Sequence, residues 1–552
     1  MVREMITVQV GQCGNQLGRL FWEQVLAEHA QHNSEGVFDE AMSSFFRNVD
    51  TRYEDPVELP LGDGTDLISG LKARAVLVDT EDGVVGETLR GPLADLFEPR
   101  QIITDVSGAG NNWAHGHLEY GPRHAEAVCE ATRRASELCD SLQCFFLMHS
   151  LGGGTGSGLG TYILGLLEDE FPGVFRFTTS VFPSEDDDVI TSPYNSVLSL
   201  HELIKHADCV LPLENQQLAA IAARVATKRE RSAAQQALGG SRGGASVRGG
   251  AFRTGRATGR QWLRTPGVSL AARQRSSGAA VLEGDRRGSA APLFPNLEQG
   301  EKGRRERGVA RGGGAEAGRE HPTNHGGESS AAAPAAGQQR GKSKKMEGFD
   351  GMNRVGARLL CHLTSSMRFP GQLNTDLNEI TTNLVPYPDL HFLVPSLAPD
   401  DGGINPADGS GMGSGGGGGG GAKPPRAAVV RQLFNDAYAP QSQLLASCED
   451  LRRGVYLASA VLLRGEDLSV SDVNACMVKL QPTLNMAHWN REGFKVGLCS
   501  AAALDHPHSV LGLANNTCIA ATFETMHARF SKLFARRAMV HHYAQYMGDG
   551  DA

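Results

Sequence analysis

No run of apolar residues in this chain of 552 is long enough to cross a bilayer, and the amino terminus lacks the basic-then-apolar pattern of a secretory signal. No membrane partner is expected, and the cytosol or a cytosolic assembly is the expected setting. The ten cysteines form no Cys-x-x-Cys pair. Cys129, Cys139 and Cys144 sit near one another but read as reduced, buried thiols rather than zinc ligands. Aromatic residues are sparse where positive charge is dense. Residues 228–345 hold 23 Lys and Arg against 9 Asp and Glu, in a chain whose overall net charge is −9, yet only Phe252, Trp262 and Phe294 interrupt them. Without aromatic interleaving or a nucleic-acid motif, that tract reads as solvated chain, and no specific nucleic acid is expected. Its Gly, Arg, Ala and Ser cannot bury enough apolar area to offset chain entropy, so disorder is expected there. The same holds for 401–427, which carries seven consecutive glycines at 415–421.

Elsewhere the pattern is regular. Apolar runs at 5–10, 73–78, 144–149, 175–182 and 209–213 read as strands, separated by amphipathic stretches, which is the rhythm of a parallel sheet with helices on both faces. Three glycine- and amide-bearing turns punctuate it. Gly11-Gln12-Cys13-Gly14-Asn15-Gln16 follows the first strand and precedes a helical pattern of Leu17, Leu20, Phe21 and Val25. Gly108-Ala109-Gly110-Asn111-Asn112-Trp113 is the second. The third, Gly152-Gly153-Gly154-Thr155-Gly156-Ser157-Gly158, lies between an apolar strand and the helical pattern of 159–171. Glycine turns between strand and helix present backbone N–H groups, and the helix N-terminus adds partial positive charge, which together suit phosphate. The third turn is not closed by Gly-Lys-Ser/Thr, so it is not a P-loop. The first supplies no G-x-G-x-x-G, which argues against a nicotinamide-dependent enzyme. Met352, Val355, Leu359, Leu360 and Leu363 mark one face of a further helix that ends before Pro370.

These turns, in this order, resemble the tubulin superfamily. Arg368-Phe-Pro-Gly-Gln-Leu-Asn374, Asn383-Leu-Val-Pro-Tyr-Pro388, Ala514-Asn-Asn-Thr517 and Phe534-Ala-Arg-Arg537 extend the likeness, which covers 1–227, 346–400 and 428–545. Ser43-Ser-Phe-Phe-Arg-Asn-Val-Asp-Thr-Arg52 and Asp187-Asp-Val-Ile-Thr-Ser-Pro-Tyr-Asn195 resemble its epsilon branch.

The resemblance implies an α/β fold. A parallel-sheet nucleotide-binding domain is expected over 1–227, a central helix over 346–370, a mixed α/β domain over 371–520, and a shortened helical region over 521–552. It also implies GTP or GDP with Mg2+. Gln12, Cys13 and Gln16 would lie along phosphate, sugar and base. Asp79 and Glu81 would act on Mg2+ through water, since a hard cation prefers carboxylate oxygen. Ala109, Gly110 and Asn111 would meet the terminal phosphate, and Ser150, Gly153, Gly154, Thr155 and Gly156 the inner two. Asn215 and Asn353 would read the guanine edge, Phe349 would stack on the base, and Asp188 would touch the sugar. Ser192 departs from the acidic residue usual there, which implies weaker ribose anchoring.

Asp376 and Glu379 are expected on one helix face. Glu379 matches the glutamate by which one subunit activates water on its neighbour's nucleotide, with Asp376 beside it. The implied partners are other tubulin subunits within a microtubule, centriole or basal-body assembly. The implied roles are a GTPase-competent subunit or, alternatively, a nucleotide-bound adaptor or cap without turnover.

Overall fold

The computed structural model describes residues 3–50, 52–53, 57–184, 187–239, 336–399, 426–445, 451–504 and 506–547. Two compact units are distinguished, Met1–Thr265 with Gly341–Ala552, and Pro266–Arg340; of the second, only 336–340 are among the described residues.

In the first half of the chain, β1 (Glu4–Val10) leads into α1 (Gly11–His32). There follow α2 (Glu40–Ser43), β2 (Phe46–Asp50), β3 (Val57–Glu58), β4 (Leu71–Ala73), β5 (Ala75–Asp79), α3 (Gly83–Arg90) and β6 (Ile102–Thr104). Then come α4 (Gly121–Glu137), β7 (Leu142–Ser150), α5 (Gly160–Glu170), β8 (Phe175–Phe182), α6 (Ser192–His206), β9 (Cys209–Glu214) and α7 (Asn215–Gly239). Six of these strands form one sheet in the order β6-β5-β1-β7-β8-β9, and every pairing in it is parallel. Strand order therefore reverses between β1 and β7, and crevices at such switch points, outside the carboxyl ends of the strands, are where open parallel sheets take ligands.

The sheet is buried on both faces, which is why its strands are continuous apolar runs. On one side Met5, Phe146 and Met148 pack with Leu17, Leu20 and Phe21 of α1. The Phe21, Trp22, Phe45 and Phe46 rings meet edge to face within that cluster. On the other side Ile6, Val8 and Val10 pack with Val128 of α4, Ile163 and Leu167 of α5, and Leu203 of α6. The short strands β3-β2-β4 make a separate antiparallel sheet.

The second half begins with α8 (Ala336–Leu363) and α9 (Ser365–Arg368), then β10 (Gly371–Leu373), α10 (Leu377–Leu384), β11 (Leu393–Ala398) and α11 (Arg426–Ala437). It closes with β12 (Tyr456–Gly465), α12 (Val470–Leu480), β13 (Phe494–Cys499), β14 (His508–Asn516), α13 (Ile519–Phe534) and α14 (Val540–Met547). Its five-stranded sheet, β10-β13-β12-β14-β11, is mixed: β12 pairs in parallel with β13 and antiparallel with β14. Along β12, Ala460 and Leu462 join the first core while Val461 and Leu463 face α11 and α12. The α/β architecture expected from the sequence is the one observed.

Three local expectations differ. The turn at Gly11–Gln16 is not a loop, because α1 starts at Gly11 itself. Gly11 takes φ +72° and makes the whole turn in one residue, a conformation that favours glycine. The ends of the tract expected to be disordered are helical, since α7 runs to Gly239 and α8 begins at Ala336. The Ala- and Gln-rich composition at 233–237 has the propensity to carry a helix on. The tract expected to be disordered at 401–427 is also helical at its end, since α11 begins at Arg426; the rest of the residues expected to be disordered, 240–335 and 401–425, lie outside the described residues. Among the described residues, no helix is long and apolar enough to cross a membrane.

Candidate functional site

The parallel sheet puts the carboxyl ends of β1, β5, β7, β8 and β9 at one edge. Gly11 follows β1, Thr80 follows β5, Leu151 follows β7 and Asn215 follows β9. Glycine is required where these turns touch. A Cβ on Gly11 would lie 3.0 Å from the Gly156 nitrogen, and one on Gly14 would collide with the Met148 carbonyl. One on Gly154 would fall 2.7 Å from the Asn112 nitrogen and 2.8 Å from the Ala109 carbonyl. The third turn thus touches both the first and the second. Thr80 and Thr155 share a hydroxyl hydrogen bond of 2.6 Å, and a Cβ on Gly108 would strike Glu81 Oε1, so the acidic turn after β5 joins them.

Above Gly153 the space is open to the size of one added atom. Its missing Cβ would stand 3.8 Å from Asn111 Oδ1 and 3.9 Å from Ser150 Oγ, with an amide on one side and a hydroxyl on the other. Gly110 and Asn111 both have positive φ, +59° and +52°, and both are exposed. A glycine-floored cradle with polar walls beside a helix start fits a phosphate oxygen. From Thr155 to Leu159 the backbone forms a π-helical turn before α5 begins. Under it, His149 is fully buried, with Nδ1 donating to the Gly156 carbonyl at 2.8 Å and Nε2 2.8 Å from Ser180 Oγ. Burial pushes its imidazole down to about 4.

Asp79 is buried at the end of β5, and burial first, then the neighbouring Glu81 carboxylate, holds its own carboxyl up at about 6 against backbone hydrogen bonds that act the other way. A buried carboxylate beside a second one is a donor set that a hard divalent cation would compensate. Among the described residues, no group of three or more His, Cys, Asp or Glu forms a ready protein-only metal site. The two oxygen donors fit an ion that keeps most of its other ligands from water and phosphate.

The residues expected on the base side lie along α1 and α8. Asn353 Nδ2 reaches Gln16 Oε1 at 3.5 Å, and Asp350 pairs with Arg19 at 3.1 Å. Phe349, one turn before Asn353, is 41% exposed. Gln12 is exposed, and Cys13 is partly buried in surroundings that push its thiol up to about 12. Asn215 is the first residue of α7, at the same sheet edge but three strands from β1. Asp188 is exposed. Ser192 is buried, and its hydroxyl hydrogen-bonds the Asp187 carboxylate and lies 3.4 Å from the Gly152 carbonyl. It therefore ties the 187–192 segment to the third turn.

The acidic pair is arranged differently from the expectation. Asp376 is the N-cap of α10, outside the helix, and its Oδ1 accepts from the Glu379 nitrogen at 2.6 Å. Its other oxygen pairs with Arg3, and it is buried. Asp376 and Glu379 do not form a pair of side chains on one helical face. Glu379 is partly exposed and makes a 2.7 Å ion pair with Lys495 of β13.

Sequence reading also missed groups that hold the turns in place. Asn195 is wholly buried and donates to both the Asn111 and Gly152 carbonyls at 2.9 Å. Its place after Pro193-Tyr194 was a visible signal, but its role was not.

An open parallel sheet, several glycine turns at its switch point and a second mixed-sheet half define a protein of the tubulin/FtsZ class. The Tubulin/FtsZ family GTPase domain matches residues 4–223, and the Tubulin C-terminal domain matches residues 422–528. The chain belongs to the tubulin family, whose GTPase domain implies guanine-nucleotide binding. It is 40% identical over 553 residues to the tubulin epsilon chain of Homo sapiens, covering 99% of this chain and 91% of the relative. The tubulin epsilon chain of Mus musculus matches to the same extent. The tubulin beta-2 chain of Suillus bovinus is 27% identical, over 98% of this chain and 90% of its own length.

Proposed function

We propose that the chain binds GTP or GDP with Mg2+ at the carboxyl edge of the six-stranded sheet. We further propose that it joins other tubulins end to end, in an epsilon-type role in centriole or basal-body microtubule organisation. The observation that carries this reading is the contact of the Gly152–Gly156 turn with both the turn at Gly11 and the turn at Ala109–Asn112, beside an open, polar-walled cradle. In it, Ser150, Gly153, Gly154, Thr155 and Gly156 hold the inner phosphates, and Ala109, Gly110 and Asn111 the terminal one. Asp79 and Glu81 hold Mg2+ through water; bound there, the ion supplies positive charge to phosphate oxygens. Gln12, Cys13, Gln16, Asn215, Phe349 and Asn353 receive sugar and base, with Asp188 at the rim.

Glu379 orients water on the nucleotide of a longitudinal neighbour, and Asp376 acts by fixing the first turn of α10 from which Glu379 projects. A second reading is a cap or adaptor that keeps its nucleotide. It is favoured by the Lys495 ion pair, which holds the Glu379 carboxylate, and by the engagement of Ser192 with Asp187.

The full chain, purified without added nucleotide and then denatured, should release stoichiometric guanine nucleotide, and magnesium chelation should lower the yield. Release of none overturns the binding reading. In co-assemblies with partner tubulins, Glu379→Ala should slow hydrolysis about a hundredfold. Unchanged hydrolysis removes the role of Glu379, and absence of turnover in the wild type selects the adaptor.

A further inference from the structure

A small aromatic cluster lies behind the phosphate-facing turns: Trp113, Tyr194 and Tyr543, with Phe530 and Tyr546 packed against it. Tyr543 and Tyr546 come from α14, more than 300 residues along the chain from the turns they back. Tyr543 is buried, and its hydroxyl donates to Asn195 Oδ1 at 2.6 Å. That oxygen also accepts from the Trp113 backbone nitrogen at 2.8 Å. Both hydrogens of the Asn195 amide go to the carbonyls of Asn111 and Gly152, each at 2.9 Å. A side-chain amide has two donors and two acceptor sites, and here all four are used. One end of this amide ties the second turn to the third, and the other end is fixed from outside by Tyr543.

Two further ties run from the same helix to the same backbone. Asn112 Nδ2 donates to the His542 carbonyl at 2.8 Å, and Tyr546 stacks on His115 with centroids 4.6 Å apart. Asn112 Oδ1 at the same time accepts from the Ala114 nitrogen at 2.9 Å. The 112–115 segment is therefore held by α14 through the side chains of Asn112 and His115. Burial raises the Tyr543 phenol above its ordinary range, so it remains a proton donor.

We propose that Tyr543 is a positioning residue for the nucleotide: its hydroxyl, acting through the Asn195 amide, sets the spacing of the Asn111 and Gly152 turns, so that retention of nucleotide depends on α14 being docked. The inference rests on the reading of the cradle as a guanine-nucleotide site. Buried amides with all partners satisfied hold one orientation, and removal of one partner from such a network loosens the rest. Helix α14 thereby becomes a lever on the phosphate turns, and a partner that displaced it would speed nucleotide exchange.

The test uses the full chain loaded with a fluorescent guanosine diphosphate and chased with unlabelled nucleotide. Tyr543→Phe keeps the ring between Tyr194 and its neighbours and deletes only the hydroxyl. It should raise the dissociation rate about tenfold, the scale of one buried hydrogen bond. Tyr194→Phe is the control. It deletes a hydroxyl that donates to the Ala538 carbonyl at 2.7 Å and ends on neither turn, so the dissociation rate should stay near wild type. An unchanged rate in Tyr543→Phe overturns the inference while leaving the site intact, and so does an equal rise in Tyr194→Phe. Failure of the wild-type chain to take up the labelled nucleotide overturns the site reading, and the inference with it.

Discussion

His149 ends the apolar run of β7 and is the residue on which the third turn rests. To donate to the Gly156 carbonyl it must carry a proton on Nδ1, which leaves Nε2 as the acceptor for the Ser180 hydroxyl in the neutral ring. Burial holds its folded value at about 4 against the usual 6.5. Between those two values the unfolded chain takes up a proton that the folded chain refuses. Stability from this group is therefore complete above about pH 6.5, falls as pH drops toward 4, and changes no further below that. The loss by pH 5 is about 2 kcal/mol. Urea unfolding at pH 7 and pH 5 should show a steep drop for the wild type and a shallower one for His149→Gln; equal slopes would remove the assignment. In the sequence His149 reads only as the polar end of a strand, because its partners are a backbone carbonyl 7 residues on and a serine 31 residues on.

Asp376 belongs to the scale of the element. An Asp-x-x-Glu spacing places two carboxylates on one face if both residues are helical, but the same spacing starts a helix when the first residue caps it. Here the cap wins, because the N–H groups of the first turn of α10 need an acceptor and Asp376 Oδ1 provides it. Asp376→Ala should cost about 1–2 kcal/mol, somewhat more than a bare cap if Arg3 also loses its partner. Asp376→Asn keeps an acceptor and should recover most of that in thermal or urea unfolding. If Asp376 itself moved protons on a neighbour's water, Asp376→Asn would instead abolish hydrolysis while sparing stability. Elements with strong period were legible in the sequence: β1, β7, β8 and β9 all fall on apolar runs bounded by turns. Others were not. The two residues of β3, Val57 and Glu58, are exposed and too few to show a period, and the helical start of α1 at Gly11 depends on one backbone angle. The role of α14 as a backing for Asn195 requires knowing what a distant helix packs on.

At the scale of the molecule, Glu28 of α1 meets Arg368, which ends α9, and Arg464 of β12, at 2.6 and 2.8 Å. Both arginines are fully buried, and both guanidiniums lie over the Phe369 ring, 4.9 and 5.9 Å from its centroid. Each also donates to the Cys361 carbonyl. One carboxylate thus joins α1, the helix that begins at the first glycine turn, to the second sheet. The order of motifs made both halves legible in the sequence, but this junction was not, since Glu28 reads there as a polar position on an amphipathic helix. Removing one partner from a buried ionic set leaves uncompensated charge, here two guanidiniums near one another, and typically costs about 3–5 kcal/mol. Bound nucleotide at a hundred times its Kd returns about 2.7 kcal/mol, because it binds only the folded form. Glu28→Ala should therefore unfold at markedly lower urea than wild type, and saturating GTP with Mg2+ should restore part of the loss but not all. Full restoration would mean that the junction carries less than the nucleotide does. No restoration, in a variant that still binds nucleotide when folded, would mean that the two halves unfold separately.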